Sequence, residues 1–140
     1  MMIRFRRDRR QSGKNGLDLP VQFRIYLPSH PEIASSFLPG QLHNYSDEGL
    51  ALLTNAIHSN SLHAFHPIPT TSEQCLLEIK VPSQGDDLTL HGRVVYYDRN
   101  EEEHPFLFRV GIQLVDPAKD LRRQIENSVK EHVSSENPVI

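Results

Sequence analysis

Residues 17–27 read Leu17-Asp18-Leu19-Pro20-Val21-Gln22-Phe23-Arg24-Ile25-Tyr26-Leu27. Leu17, Leu19, Val21, Phe23, Ile25 and Leu27 take every second position, with Asp18, Gln22 and Arg24 among those between. Successive side chains of a β-strand point to opposite faces, so this period of two predicts a strand with one face in a core and the other toward water. Pro20 has no N–H to offer a neighbouring strand, which confines it to the start of this strand or to an edge.

The same period recurs along the chain. Glu48–Thr54 follows an Asn-Tyr-Ser-Asp turn cluster and reads as a second strand. Cys75, Leu77, Ile79 and Val81 alternate with Leu76, Glu78 and Lys80, a third. Leu88, Leu90, Gly92, Val94 and Tyr96 share one face of a fourth. Phe106, Phe108, Val110, Ile112 and Leu114 make a fifth, with Arg109 and Gln113 opposite, and Leu38–Asn44 supplies a short further strand. The runs are separated by turn signals at 82–87 and 98–105, the latter an exposed hairpin loop carrying Glu101, Glu102 and Glu103. Short strands with few helical patterns indicate an antiparallel barrel or sandwich rather than parallel βαβ units. The period changes after Asp116, an N-cap residue followed by Pro117 at a first helical position. Leu121, Ile125, Val129 and Val133 then form an apolar stripe along one side of a helix that packs on the strands or closes one end of them.

The chain has 140 residues, 37% apolar and 24% charged, which is one folded domain's worth and unlike a disordered composition. No apolar run exceeds four residues, as at Leu50–Leu53, against about 20 for a membrane-spanning helix. No secretory leader is read at the N-terminus, so a cytoplasmic protein without membrane insertion is expected. One cysteine, Cys75, excludes an internal disulfide framework and a Cys-based zinc site. The net charge of −3 is divided unevenly: residues 1–14 carry +5 and the other 126 carry −8. A basic arm on an acidic body suggests an anionic partner that meets the arm first. Long nucleic acid is a poor candidate, because the acidic body repels a polyanion and the arm has only Phe5 for stacking.

Catalytic signatures are missing: the sequence has no Gly-x-Ser-x-Gly elbow, Walker loop, dinucleotide glycine fingerprint or His-Glu-x-x-His. An enzyme is not expected. Cys75 lies within a strand pattern and reads as a small buried apolar residue. His58, His63 and His66 fall in the loop-like stretch Asn55–Ser72 with no carboxylate or thiol to complete a metal set, so they read as surface histidines and no metal site is expected.

The informative segment is Asn44-Tyr45-Ser46-Asp47-Glu48-Gly49, which fits Asp/Asn-x-Ser-x-x-Gly. Upstream, Arg6 and Arg10 fit Arg-x-x-x-Arg; downstream, Gly92-Arg93-Val94-Val95-Tyr96 and Arg109-Val110-Gly111-Ile112-Gln113 are consecutive strands ahead of a terminal helix. Each pattern alone is common, but their order is specific. Over roughly residues 6–133 the chain resembles the PilZ domain family, bacterial receptors for the second messenger cyclic di-GMP. The resemblance implies an all-β fold, an antiparallel PilZ-type barrel of about six strands with a C-terminal α-helix. It divides the chain into a basic flexible arm (1–14), a barrel with its helix (15–133) and a tail (134–140).

It also implies a cyclic di-GMP site built from Arg6, Arg10, Asn44, Ser46 and Gly49. The chemistry agrees. Arginine's planar fork pairs bidentately with guanine or phosphate and stacks on bases. Asn44 offers an amide oxygen to guanine N–H groups, Ser46 a hydroxyl to phosphate or sugar, and Gly49 room for close approach. Nine residues separate Arg10 from Pro20, a long spacing for the family. The alternative alignment by spacing makes the pair Arg10 and Lys14, and lysine cannot form the bidentate guanine contact. Arg10 belongs to the site in both. A downstream protein partner is expected to read the ligand-ordered arm; the competing expectation is a degenerate PilZ-like domain that binds no nucleotide and serves as a protein-interaction module.

Overall fold

The computed structural model describes residues 19–46, 49–83, 88–99, 106–115, 123–128 and 130. Nine strands lie among them: β1 (Leu19–Leu27), β2 (His30–Ala34), β3 (Leu38–Tyr45), β4 (Gly49–Thr54), β5 (His58–Ser59), β6 (Leu62–His63), β7 (Leu76–Val81), β8 (Leu88–Arg99) and β9 (Phe108–Leu114). The sheet order is β2-β1-β3-β4-β9-β8-β7, and β7 pairs back onto β1, closing six antiparallel strands into a barrel. β1 makes that closure by spending its first half on β3 (Leu19↔Leu42 to Phe23↔Leu38) and its second half on β7 (Gln22↔Lys80 to Tyr26↔Leu76). Pro20, opposite Gln41, falls in the half that does not pair with β7, the edge-like position its missing N–H requires.

The period of two holds along β1, where Leu19, Val21, Phe23, Ile25 and Leu27 are buried and Pro20 and Gln22 exposed. The barrel interior is filled by these residues with Leu42, Leu50, Leu52, Leu77, Ile79, Val81, Leu90, Val94, Val110, Ile112 and Leu114. Cys75 is fully buried beside them, and burial pushes its thiol pKa up, with Glu73's charge adding to the rise, as suits an apolar core residue. Residues 123–128 and 130 are helical and present Ile125 to the core at 0% exposure. Asp116, Pro117, Leu121, Val129 and Val133, the other residues of the expected cap and stripe, lie outside the described side chains.

Three features differ from the sequence expectation. The Pro- and Ser-rich segment after Leu27 contains β2, which joins β1 through Tyr26↔Ala34 and Leu27↔His30. Residues 55–72 are not simply a loop: β5 and β6 form a hairpin whose Asn60 and Ser61 both have positive φ (54° and 66°), the signature of a tight type I′ turn. From this segment Leu62 and Ala64 are buried in the core, with Ile57, Phe65 and Ile68 packed against it. The third difference is in β8. A bulge between Val94 and Tyr96 adds one residue, so Tyr96 leaves the interior face and Tyr97 takes its place there.

Candidate functional site

β3 carries a second bulge, between Leu42 and Asn44. Strict alternation from the buried Leu42 would send Asn44 inward and Tyr45 outward. The extra residue, His43, reverses this: Asn44 pairs with Ala51 on the outer face and Tyr45 packs against the core. The two bulges therefore aim Asn44 and Tyr96 outward on either side of β4 and β9, and registry aligns the outer face in rows. One row runs Gly49–Gln113–Arg93, the next Asn44–Ala51–Gly111–Tyr96, the third Gln41–Leu53–Arg109–Asp98. A Cβ at Gly111 would lie 1.9 Å from a Tyr96 ring carbon, so the absence of a side chain there is what lets the ring lie over β9.

The turn from β3 to β4 is closed by its own residues. Ser46 N–H donates to the Gly49 carbonyl at 2.8 Å, and Gly49 N–H donates to Ser46 Oγ at 3.3 Å. Asn44 Oδ1 accepts the Tyr45 N–H at 2.8 Å. Both side chains thus shape the turn. The structure brings together Asn44, Ser46 and Gly49, while Arg6, Arg10 and Lys14 lie outside the described residues.

Two arginines to which the sequence assigned no role stand out on this face. Arg93 is exposed, and its Nη2 donates to Gln113 Oε1 at 2.7 Å. Arg109 buries its Nε with no hydrogen-bond partner. The opposite outer face is different. Arg24 donates through Nε and Nη2 to Glu78 Oε1 at 2.8 and 2.7 Å, and Lys80 Nζ lies 3.6 Å from Glu78 Oε2 and donates to Thr89 Oγ1 at 3.2 Å. Burial pushes the Glu78 carboxyl up, but the Arg24 hydrogen bond and the charges of Arg24, Lys80 and His91 outweigh it, so its pKa is below the usual value. Beside it, the Tyr26 hydroxyl and His91 Nδ1 are 3.0 Å apart.

His58, His63 and His66 cluster on the β5–β6 hairpin, with the His63 and His66 rings 4.4 Å apart. His63 Nδ1 accepts backbone N–H bonds from Phe65 and His66, both at 3.0 Å, and His66 Nε2 lies 3.2 Å from the Tyr97 hydroxyl. Burial, then the neighbouring imidazoles, lower the His63 pKa. No group of three or more His, Cys, Asp or Glu side chains among the described residues is placed to hold a metal ion. No helix among the described residues is long and apolar enough to cross a membrane.

The sequence model of the PilZ domain family matches residues 5–131. Among solved structures, the PilZ domain with c-di-GMP of YcgR from Escherichia coli shares the fold at a TM-score of 0.50 and 12% identity, covering 85% of this chain and 89% of that one. The PilZ domain of CeSA from a cellulose-synthesizing bacterium is also similar, at a TM-score of 0.42 and 15% identity over 86% of this chain and 94% of that one. Among curated proteins no sequence matches. With the match spanning residues 5–131, which include the Asn44–Gly49 turn and the whole closed barrel, the chain belongs to the PilZ domain family.

Proposed function

We propose that this protein is a non-enzymatic receptor for cyclic di-GMP, which it grips between its N-terminal arm and the outer face of the barrel at the Asn44–Gly49 turn. The observation that carries the reading is the turn itself. In a chain of this family, the bulge at His43 turns Asn44 to the outer face next to Ser46 and Gly49. Arg10, paired with Arg6 or with Lys14, supplies the positive charge that an acidic body otherwise denies a dianionic ligand. Residues 1–14 act as the arm, 15–133 as the receiving barrel and helix, and 134–140 as a tail. Ligand binding orders the arm across the barrel, and the combined surface docks on a downstream protein partner in the cytoplasm.

One observation favours a second reading, a PilZ-like module that binds no nucleotide. Asn44 Oδ1 and Ser46 Oγ already serve local backbone N–H groups. Calorimetric titration with cyclic di-GMP separates the two. Binding by the wild type that weakens about tenfold or more in Arg10→Ala and in Ser46→Ala establishes the receptor, since hydrogen bonds to charged groups are worth roughly 1.5–3 kcal/mol. Absence of binding at high ligand concentration leaves the interaction module. Arg6→Ala and Lys14→Ala then decide which residue pairs with Arg10.

A further inference from the structure

We infer that Arg93, held in place by Gln113, is an additional base-reading residue of this site: its guanidinium takes the O6/N7 edge of a guanine of the bound dinucleotide. The inference rests on the cyclic di-GMP reading and extends it to strands β8 and β9, away from the arm and the turn. Three observations carry it.

The first is position. Gly49 opens β4 at the end of the turn, Gln113 is directly opposite it on β9, and Arg93 is directly opposite Gln113 on β8. Arg93 therefore lies two strand spacings, ~10 Å, from Gly49 along one row of the outer face. The row has no side chain at Gly49 to obstruct it.

The second is direction. The bond from Arg93 Nη2 to Gln113 Oε1 at 2.7 Å draws the guanidinium sideways over β9, toward Gly49 and away from β7. Gln113 is its hydrogen-bond partner among the described residues, and Arg93 is exposed, so its remaining guanidinium donors are open to a ligand. The amide nitrogen of Gln113, whose oxygen is engaged, adds donors beside them. A row of donors with no carboxylate among its described residues fits a surface with two acceptors side by side.

The third is rigidity. Arg93 stands in the middle of β8, paired with Gln113 of β9 and next to Gly92, the last β8 residue that pairs with β7 (Leu77↔Gly92). A planar fork fixed in orientation suits a bidentate base contact, where geometry selects, more than a phosphate, which accepts a point charge from many directions. Guanine offers O6 and N7 to such a fork; adenine offers N7 beside an N6–H₂ donor, which the fork rejects.

The test is titration of the full chain, wild type, Arg93→Ala and Arg93→Lys, with cyclic di-GMP and with cyclic di-AMP, with thermal melts of all three proteins run alongside. The expected result is wild-type preference for the guanine ligand, a loss of roughly ten- to a hundredfold for cyclic di-GMP in Arg93→Ala, no recovery in Arg93→Lys, a smaller loss for cyclic di-AMP, and unchanged melting. Recovery in Arg93→Lys to within a few-fold of wild type overturns base reading, because a point charge then suffices. Wild-type-like affinity in Arg93→Ala overturns the inference and leaves the receptor intact. Absence of binding by the wild type itself removes the receptor reading, and the inference falls with it.

Discussion

The two outer faces of the barrel treat charge in opposite ways. On β1, β7 and β8, Arg24, Glu78, Lys80 and Thr89 are joined in one ladder, and each charged group meets a partner within 4 Å. On β3, β4, β9 and the far half of β8, the centre is made of small residues, Ala51 and Gly111; among the described residues the exposed Arg93 bonds only Gln113 and has donors to spare, while Arg109 holds a buried Nε without a partner. Groups that are mutually satisfied stabilise the fold and have little left for a ligand. Exposed donors kept in reserve, as at Arg93, add little to stability and become useful only when an acceptor arrives, whereas a buried donor left unpaired costs stability. On the proposed function, stability and binding are allotted to different sides of one closed sheet.

The largest effect that tests this division comes from the floor of the second face. Gly111→Ala drives a Cβ into the Tyr96 ring and lowers stability by about 1–3 kcal/mol. Urea unfolding of Gly111→Ala, Tyr96→Ala and the double variant checks it. The double variant is expected to lose clearly less than the sum of the singles, and strict additivity would show that the ring does not rest on the glycine.

A smaller effect is expected on the partnered face. Glu78→Gln removes the charge that Arg24 and Lys80 share and costs about 1 kcal/mol near neutral pH. The folded-state pKa of Glu78 is lowered, so its contribution is complete above the ordinary carboxyl value of 4.5 and fades as pH falls through it toward the folded value. Stability profiles of wild type and Glu78→Gln should therefore converge on the acid side. A gap that stays constant down to low pH contradicts the assignment.

The smallest effect sharpens the contrast. Arg109→Met keeps an apolar stem and deletes an unpartnered buried Nε, so stability stays level or rises by up to about 1 kcal/mol. A loss as large as that of Glu78→Gln, read from the same unfolding curves, would show that both faces are equally structural.

Much of the barrel was legible because alternation is enforced by burial. A one-residue slip in β1 would put Phe23 and Ile25 in water, so the sequence has to declare its register. The bulges were illegible for the complementary reason. Val94-Val95-Tyr96-Tyr97 is apolar throughout, so no residue marks where the period breaks, and Tyr96 reads as interior. His43 hides the other bulge, being polar where alternation expects polar. The β5–β6 turn uses Asn60-Ser61 in place of the Asn-Gly that announces a type I′ hairpin, and β2 was masked by Pro31. At the site, the Asn44–Gly49 pattern was visible as a string. That Asn44 faces outward, and that Arg93 shares a row with Gly49, depends on registry between strands distant in sequence.

Closing the ring through β1 also bears on self-association. A strand bonded on both sides has no free backbone groups to template a second chain, and within the seven-stranded sheet only β2 hangs outside the closed circuit. That strand is five residues long and reads His30-Pro31-Glu32-Ile33-Ala34. It is short, Pro31 withholds a donor, Glu32 adds charge, and only Ile33, 46% exposed, would reward an intruder. The sequence that broke the period of two at this point is also what keeps this open margin of the sheet from recruiting a neighbour.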